Sequence, residues 1–305
     1  MDRTDKINKL PHCFEIKPKL SKDLCIERNT INLNLSLDLY HILSYENLCL
    51  ALKSQQLYMR NPSMWNDPYE TFSLNCKIID PSGNVCNFDE IKKNIYYQCW
   101  SKNGDSEALW KVDCLGKVDC PGKVDCLGKI DCPGKVDCLG KVYCPGKVRC
   151  PDNVKRVRIK SRGDKLIKSL YNIDHQFHDK SYFIGSVDYV SEDLIETLLK
   201  GAMGQYLCSP QDVYLFIRTL FIKRKAFEYE SEVRLVYYRC VHARYNKELF
   251  PFKIDINEVI EEITFHPKLT EAECRKMETQ IKALGYKGRV NQSELYKAKD
   301  IVIYE

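Results

Sequence analysis

The chain lacks any uninterrupted apolar run of the roughly 18 residues needed to span a bilayer, so no membrane-crossing helix and no membrane partner is expected. Its opening residues, Met1-Asp2-Arg3-Thr4-Asp5-Lys6, are charged with no apolar stretch behind them. No secretory signal is therefore read, and the expected compartment is the cytosol. There is no Walker loop, no GxGxxG following a strand, no HExxH and no paired CxxC, which removes the usual support for ATPase, Rossmann dehydrogenase, zincin and zinc-ribbon chemistry. Charge of one sign is also scarce: 47 basic against 42 acidic residues leave a net +5, too mild to imply nucleic-acid binding by itself. With 305 residues and 44% apolar content, a sizeable core is expected.

Cysteine, by contrast, is abundant at sixteen. Seven of these lie in one segment, and the other nine (Cys13, Cys25, Cys49, Cys76, Cys86, Cys99, Cys208, Cys240 and Cys274) have no metal-type spacing. Reduced, mostly buried thiols are the expectation for them, and no metal site is assigned. The segment itself runs from Lys111 as KVDCLG, KVDCPG, KVDCLG, KIDCPG, KVDCLG, KVYCPG and KVRCPD, seven hexads with Leu and Pro alternating in fifth place. Four forms compete for it: a short hexapeptide β-helix, a zinc site, a β-meander with Pro-Gly turns, and a poorly ordered surface excursion. The excursion is favoured, because each hexad offers only Val and Cys or Leu to bury and pairs them with Lys, Asp and Gly. Removing 111–146 joins Trp110 to KVRCPDNVKRVRIKS, a strand, turn and strand, so the host closes up without the insert. The expected organisation is an N-terminal extension (1–30), one host domain (31–110 and 147–305) and the insert (111–146).

Within the host, Ile31, Leu33, Leu35, Leu37 and Leu39 alternate with polar residues, which predicts a half-buried strand running into Tyr40-His41-Ile42-Leu43. Ser44 caps a predicted short helix carrying Leu48 and Leu52, and a strand follows near Leu57–Arg60. Ser191 caps a helix from Glu192, Ser209-Pro210 starts another through Phe221, and Thr270 with Glu273 forms a capping box for a helix closed by Gly285. Phe227–Arg239 alternates as a strand, and Ile301–Tyr304 ends the chain as another. Strands around a central helical block predict an α+β class with a mixed or antiparallel, β-rich domain.

Period two on the predicted strand puts Glu228, Glu230, Glu232 and Arg234 on one face. Neighbouring carboxylates raise one another's pKa, and an arginine among them can hold one ionised, an arrangement suited to stabilising an oxocarbenium-like ion or steering a nucleophile's proton. A solvated acidic edge tied by Arg234 explains the same residues without chemistry, and both readings stay open. Asn66-Asp67-Pro68-Tyr69-Glu70 is a sound turn in its own right, or a loop that brings Asp67 and Glu70 to the same cleft. Trp65, Trp100 and Trp110 read as core anchors before stacking platforms. From 154 to 162, Val157 and Ile159 alternate with Arg156, Arg158, Lys160 and Arg162: a solvated edge, or a face that attracts phosphate or nucleic acid.

The stretch LYHILSYENLCLALKSQQLYMRNPSMWNDPYE resembles the opening of a bacterial family of unknown function, the DUF2971 family. CWSKNGDSEALW, YESEVRL and EEITFHPKL follow in the order of that family's later motifs, so the resemblance extends from Leu39 to Leu269. Val233 stands where the family usually has Trp, and His266 where Gly is common. The Tyr40-His41 strand and the later Glu-x-Glu strand also look like the layout of ADP-ribosyltransferases. That likeness implies an NAD-using enzyme, of which a defence or toxin effector is one form, with no other cofactor. In it Glu232 or Glu230, the two catalytic carboxylates, would stabilise the oxocarbenium and His41 would hold ribose or adenosine hydroxyls of NAD. Tyr40, Ser101, Arg234, Asn66, Asp67 and Glu70 would line the substrate site, and the acceptor would be a protein or a nucleic acid. A non-enzymatic recognition module, with the acidic face and Asn-Asp-Pro loop as its surface, is the alternative, as is a nucleic-acid-binding protein using the basic strand. Oligomeric state is not legible.

Overall fold

The computed structural model describes residues 21–64, 68–79, 83, 85–86, 88–112, 155–171, 182–200, 213–239 and 248–297. Most of the N-terminal extension, nearly all of the hexad insert with the strand and turn after it, the Ser209-Pro210 helix start, the 301–304 strand, and Trp65, Asn66 and Asp67 lie outside the described residues.

Fourteen strands are described, and ten of them form one mixed sheet. In chain order they are β1 (Thr30–Ile31), β2 (Asp38–Ser44), β3 (Gln56–Arg60), β4 (Ile78–Ile79), β5 (Val85–Cys86), β6 (Ile95–Ser101) and β7 (Arg156–Arg162). They continue as β8 (Tyr182–Ser186), β9 (Asp188–Val190), β10 (Ile222–Arg224), β11 (Glu232–Tyr238), β12 (Leu249–Lys253), β13 (Glu262–Phe265) and β14 (Arg289–Gln292). The main path is β1-β8-β11-β6-β2-β7-β13-β14, with β3 branching from β6 and β12 pairing β3. β9 and β10 form a separate parallel pair and β4 and β5 an antiparallel one. The class is α+β, with helices Glu192–Lys200 and Val213–Thr219 between strands as the sequence predicts.

The two faces of the sheet are covered differently. On one, Leu39, Trp100, Val157, Ile159, Val233, Leu235 and Ile263 meet helix residues Leu48, Leu52, Leu166, Ile167, Leu170, Met277 and Ile281 in the larger core. On the other, a smaller cluster gathers Ile95, Tyr97 and Val236 against Ile217, Leu220 and Phe221.

The helix signals act as read. Ser44 Oγ accepts from Asn47 N at 3.1 Å and starts Tyr45–Ser54. Ser191 Oγ accepts from Leu194 N, and Thr270 and Glu273 form the reciprocal capping box of Glu271–Ala283. Gly285, at φ +90, supplies the left-handed turn that follows.

Three strand expectations are corrected. The 31–39 alternation is not one strand: Asn32 has φ 49, and 32–37 is a turn between β1 and β2. Its backbone groups are satisfied elsewhere, Leu37 O by Gly163 N and Leu35 O by Asp164 N, while Leu33 and Leu35 pack on the larger core. Phe227–Ser231 is not strand either. Lys225–Glu230 is a 3-10 helix closed by Ser231 at φ 44, so Glu228 and Glu230 do not share a strand face with Glu232. Finally, β7 is no edge: it lies between β2 and β13.

Candidate functional site

The site sits where the sheet splits. β2 and β6 pair at a single position, Tyr40 opposite Ser101, and beyond it β6 bridges β3 instead, through Tyr97 opposite Arg60. A crevice therefore opens between β2 and β6. Along it the Cys99 carbonyl accepts a 2.8 Å hydrogen bond from His41 Nδ1, which must carry the proton because a carbonyl can only accept. The cavity there has a volume of about 140 Å³ and is lined by Tyr40, His41 and Ile42 of β2, Cys99–Ser101 of β6, Asn103, Gly104, Ser106 and Leu109 of the segment after it, Arg158, Glu230 and Glu232.

At one end of the cavity five charges converge from four elements. Arg234 is fully buried; its Nε reaches Glu232 Oε1 at 2.8 Å, its Nη2 reaches Glu232 Oε2 at 3.2 Å, and its Nη1 donates to the Leu220 carbonyl. Lys223 of β10, 5% exposed at its side chain, holds three carboxylates on one ammonium: Glu70 at 2.5 Å, Glu230 at 2.6 Å and Glu232 at 3.2 Å. Three negative charges thus face two positive ones. The backbone is fixed around them, with Glu232 N donating to Tyr189 Oη at 2.7 Å and Ser101 Oγ donating to the Glu230 carbonyl at 2.6 Å.

The two cavity carboxylates differ in character. Burial pushes Glu232 upward, but Arg234 and Lys223 overcome it and hold the group at about 2, so it is ionised throughout the ordinary pH range. Burial raises Glu230 above the usual carboxylate value, with Lys223 opposing and Glu232 and Glu70 adding to the rise. Burial, and then the nearby Glu232 charge, raise the Cys99 thiol well above its usual value, which makes it a poor nucleophile. Such a pair, one permanent anion and one carboxyl whose proton is held more tightly, can stabilise a cation and move a proton at the same place.

Of the residues read from the sequence, Tyr40, His41, Ser101, Glu230 and Glu232 line the one cavity, and Arg234 and Glu70 stand behind it in the charge cluster. Trp100 and Trp110 are buried, as core anchors would be. Lys223 was not legible as a site residue. Lys223 follows the apolar Leu220-Phe221-Ile222 but begins the basic run Lys223-Arg224-Lys225, so no local signal marks it as the buried member.

The basic side chains of β7 are paired within the fold, and the central place of this strand corrects the reading of a solvated edge. Arg156 donates to the Trp110 carbonyl. Arg158 donates to the Gly104 carbonyl and to Thr264 Oγ1, pairs with Asp105 at 3.3 Å, and lies 5.1 Å from the centre of the Tyr40 ring. Lys160 pairs with Asp38, and Arg162 with Asp164. Asp105 in turn accepts from Trp110 Nε1 and Ser293 Oγ, so these pairs hold the 102–110 segment over the sheet as one wall of the cavity. Among the described residues no cluster of His, Cys, Asp and Glu fit to hold a metal is present, and no helix is long and apolar enough to cross a membrane.

No family model and no curated protein matches the sequence. Among solved structures, those of Thermus sp. 2.9 DarT are similar. The complex with NAD+ aligns at 13% identity over 86% of this chain and 98% of that one, with a TM-score of 0.36. The complex with ADP-ribosylated ssDNA aligns at 14% identity over 86% and 97%, with a TM-score of 0.36. The complex with carba-NAD+ aligns at 14% identity, with a TM-score of 0.33. At scores of this size the functional reading rests on this chain's own residues.

Proposed function

We propose that the cavity takes NAD as substrate and that the chain transfers its ADP-ribosyl group to an acceptor, the activity implied by the resemblances drawn from the sequence. The observation that carries the reading is the buried, ionised Glu232 at the end of the cavity, one member of a cluster with a net negative charge. Cleaving the N-glycosidic bond of NAD develops positive charge on the ribose, and a fixed carboxylate in a water-poor site stabilises that charge without reorganising. The uncompensated negative charge beside Trp100, His41 and Tyr40 also suits the cationic ring that leaves as neutral nicotinamide.

In this reading Glu232 faces the developing cation and Glu230 takes the proton that the acceptor nucleophile loses. The acceptor's bond to the ribose forms as the bond to nicotinamide breaks. His41, with Nδ1 tied to the Cys99 carbonyl, presents its ring to the ligand in a set orientation, and Ser101 fixes the Glu230 backbone. A nucleic-acid or protein acceptor fits equally with these groups. Membership of the DUF2971 family belongs to the same proposal.

Incubation with NAD labelled in the nicotinamide ring tests it: the wild-type chain releases free nicotinamide, and Glu232→Gln lowers that rate by at least a hundredfold while the chain stays folded. Equal turnover by Glu232→Gln, or none by the wild type with any acceptor class, overturns the assignment.

A further inference from the structure

We infer that Lys223 is a positioning residue that divides the work of the two cavity carboxylates, holding Glu230 in place as the proton acceptor while Arg234 alone suffices to keep Glu232 an anion. The inference deepens the proposed function and rests on it for the word acceptor; its geometric part stands independently.

The asymmetry lies in who reaches whom. Arg234 makes two hydrogen bonds to Glu232, at 2.8 and 3.2 Å, against a 3.9 Å approach to Glu70, and Lys223 adds a third contact to Glu232 at 3.2 Å. Glu230 has a different situation: among the described residues its one ion pair is with Lys223 Nζ, at 2.6 Å. That ammonium is shared with Glu70 at 2.5 Å, so Glu70 competes for the charge that Glu230 depends on. The groups facing Glu230 are Lys223 of β10, Glu232 of β11, Glu70 of the turn at Pro68–Thr71, Tyr189 of β9 and Tyr229 of its own 3-10 helix. Lys223 is the cation among them. The Phe227 ring, 4.8 Å from Nζ, and burial leave the ammonium little water to share.

Opposite signs follow for two substitutions. Lys223→Met removes the partner of Glu230 but leaves Glu232 its Arg234, so Glu230 binds its proton more tightly and Glu232 changes less. Glu70→Gln removes a competitor and a like charge, so Glu230 binds its proton less tightly. Lys223→Arg keeps the charge and returns Glu230 toward the wild-type value.

The test is a carboxyl carbon-13 NMR titration of Glu230 and Glu232 in the full chain without ligand, followed by the pH dependence of NAD turnover. Expected is an upward move of at least tenfold in the proton affinity of Glu230 in Lys223→Met, a smaller one for Glu232, and a downward move of Glu230 in Glu70→Gln. The acidic limb of kcat shifts in the same directions with KM little changed. Equal shifts of both carboxylates in Lys223→Met, or a Glu230 titration that Glu70→Gln does not lower, overturn the inference. Should Lys223→Met not fold, Glu70→Gln, an isosteric change at a partly exposed side chain, decides alone. A chain that titrates as expected yet releases no nicotinamide refutes the proposed enzyme and leaves the role of Lys223 standing.

Discussion

Two charged constellations, the acidic cluster around Glu232 and the basic face of β7, look alike in the sequence as alternating charges near apolar residues, yet the fold uses them in opposite ways. In the basic face four cations meet four carboxylates: Arg158 faces Asp105 and Glu262, Lys160 and Arg162 find Asp38 and Asp164, and Arg156 donates to the Trp110 carbonyl. In the acidic cluster three carboxylates share two cations at the end of a cavity, and one negative charge is left over. A constellation balanced charge for charge is architecture. One that is buried and left unbalanced has something still to bind, and a carboxylate in it is the better candidate for chemistry.

The largest expected effect breaks the acidic cluster itself. Arg234 is wholly buried, and its removal leaves Glu232, itself only 3% exposed, with Lys223 as its sole cation among the described residues. Breaking a buried pair from one side is costly because the other charge stays behind, so Arg234→Met should lose about 3–5 kcal/mol of unfolding free energy by denaturant titration. Glu232→Gln combined with Arg234→Met should recover part of that loss. A single-site cost below about 1 kcal/mol would mean that water reaches the cluster and that the contrast with the basic face is false.

Acid unfolding sharpens the same contrast. Glu232 titrates at about 2 against an ordinary 4.5, so between those values the unfolded chain holds a proton that the native one does not. Stability therefore rises with pH across that window, and what Glu232 contributes is lost as pH falls from about 4.5 toward about 2. Glu230 is shifted the other way, so just above 4.5 its native form holds the extra proton and its contribution declines as pH rises. Unfolding followed from pH 2 to 7 should show a flatter acid arm in Glu232→Gln and a steeper one in Glu230→Gln. Equal arms in the two variants would show that both carboxylates sit in one environment.

Much of this fold was readable because its helices begin and end on local signals. Ser44, Ser191, Thr270 with Glu273, and Gly285 each act through hydrogen bonds or a backbone angle within four residues, which a sequence displays directly. What failed was period two. Leu33 and Leu35 alternate with Asn because a turn packs them onto the core, and its carbonyls are satisfied by Gly163 and Asp164, more than 120 residues away in the chain. Glu230 and Glu232 meet at Lys223 for a reason that no strand period describes: Ser231 in the left-handed region turns the chain out of a 3-10 helix and into β11. The chemistry-bearing residues His41, Ser101, Glu230 and Glu232 could be named from the chain, whereas the ammonium that binds two of these carboxylates to Glu70 could not. Lys223 has no motif, and its role comes from β10 pairing β9 beside β11.

The smallest effects test the architectural side. Within β7 the partners differ in depth: the Arg158 side chain is 11% exposed, while Lys160 and Asp38 pair at 2.7 Å with side chains 20% and 44% exposed. Arg158→Met should cost about 2–3 kcal/mol, since it takes the donor from the Gly104 carbonyl and leaves Asp105 only Trp110 and Ser293 among its described partners. Lys160→Met should cost no more than about 1 kcal/mol, the worth of a pair that water already solvates. Because Arg158 also holds the wall that carries Gly104, its loss should weaken ligand binding in the cavity, whereas Lys160→Met should leave it unchanged. Equal costs for the two, read from paired denaturation curves, would mean that depth does not sort the basic face, and the distinction between balanced and unbalanced charge would lose its structural side.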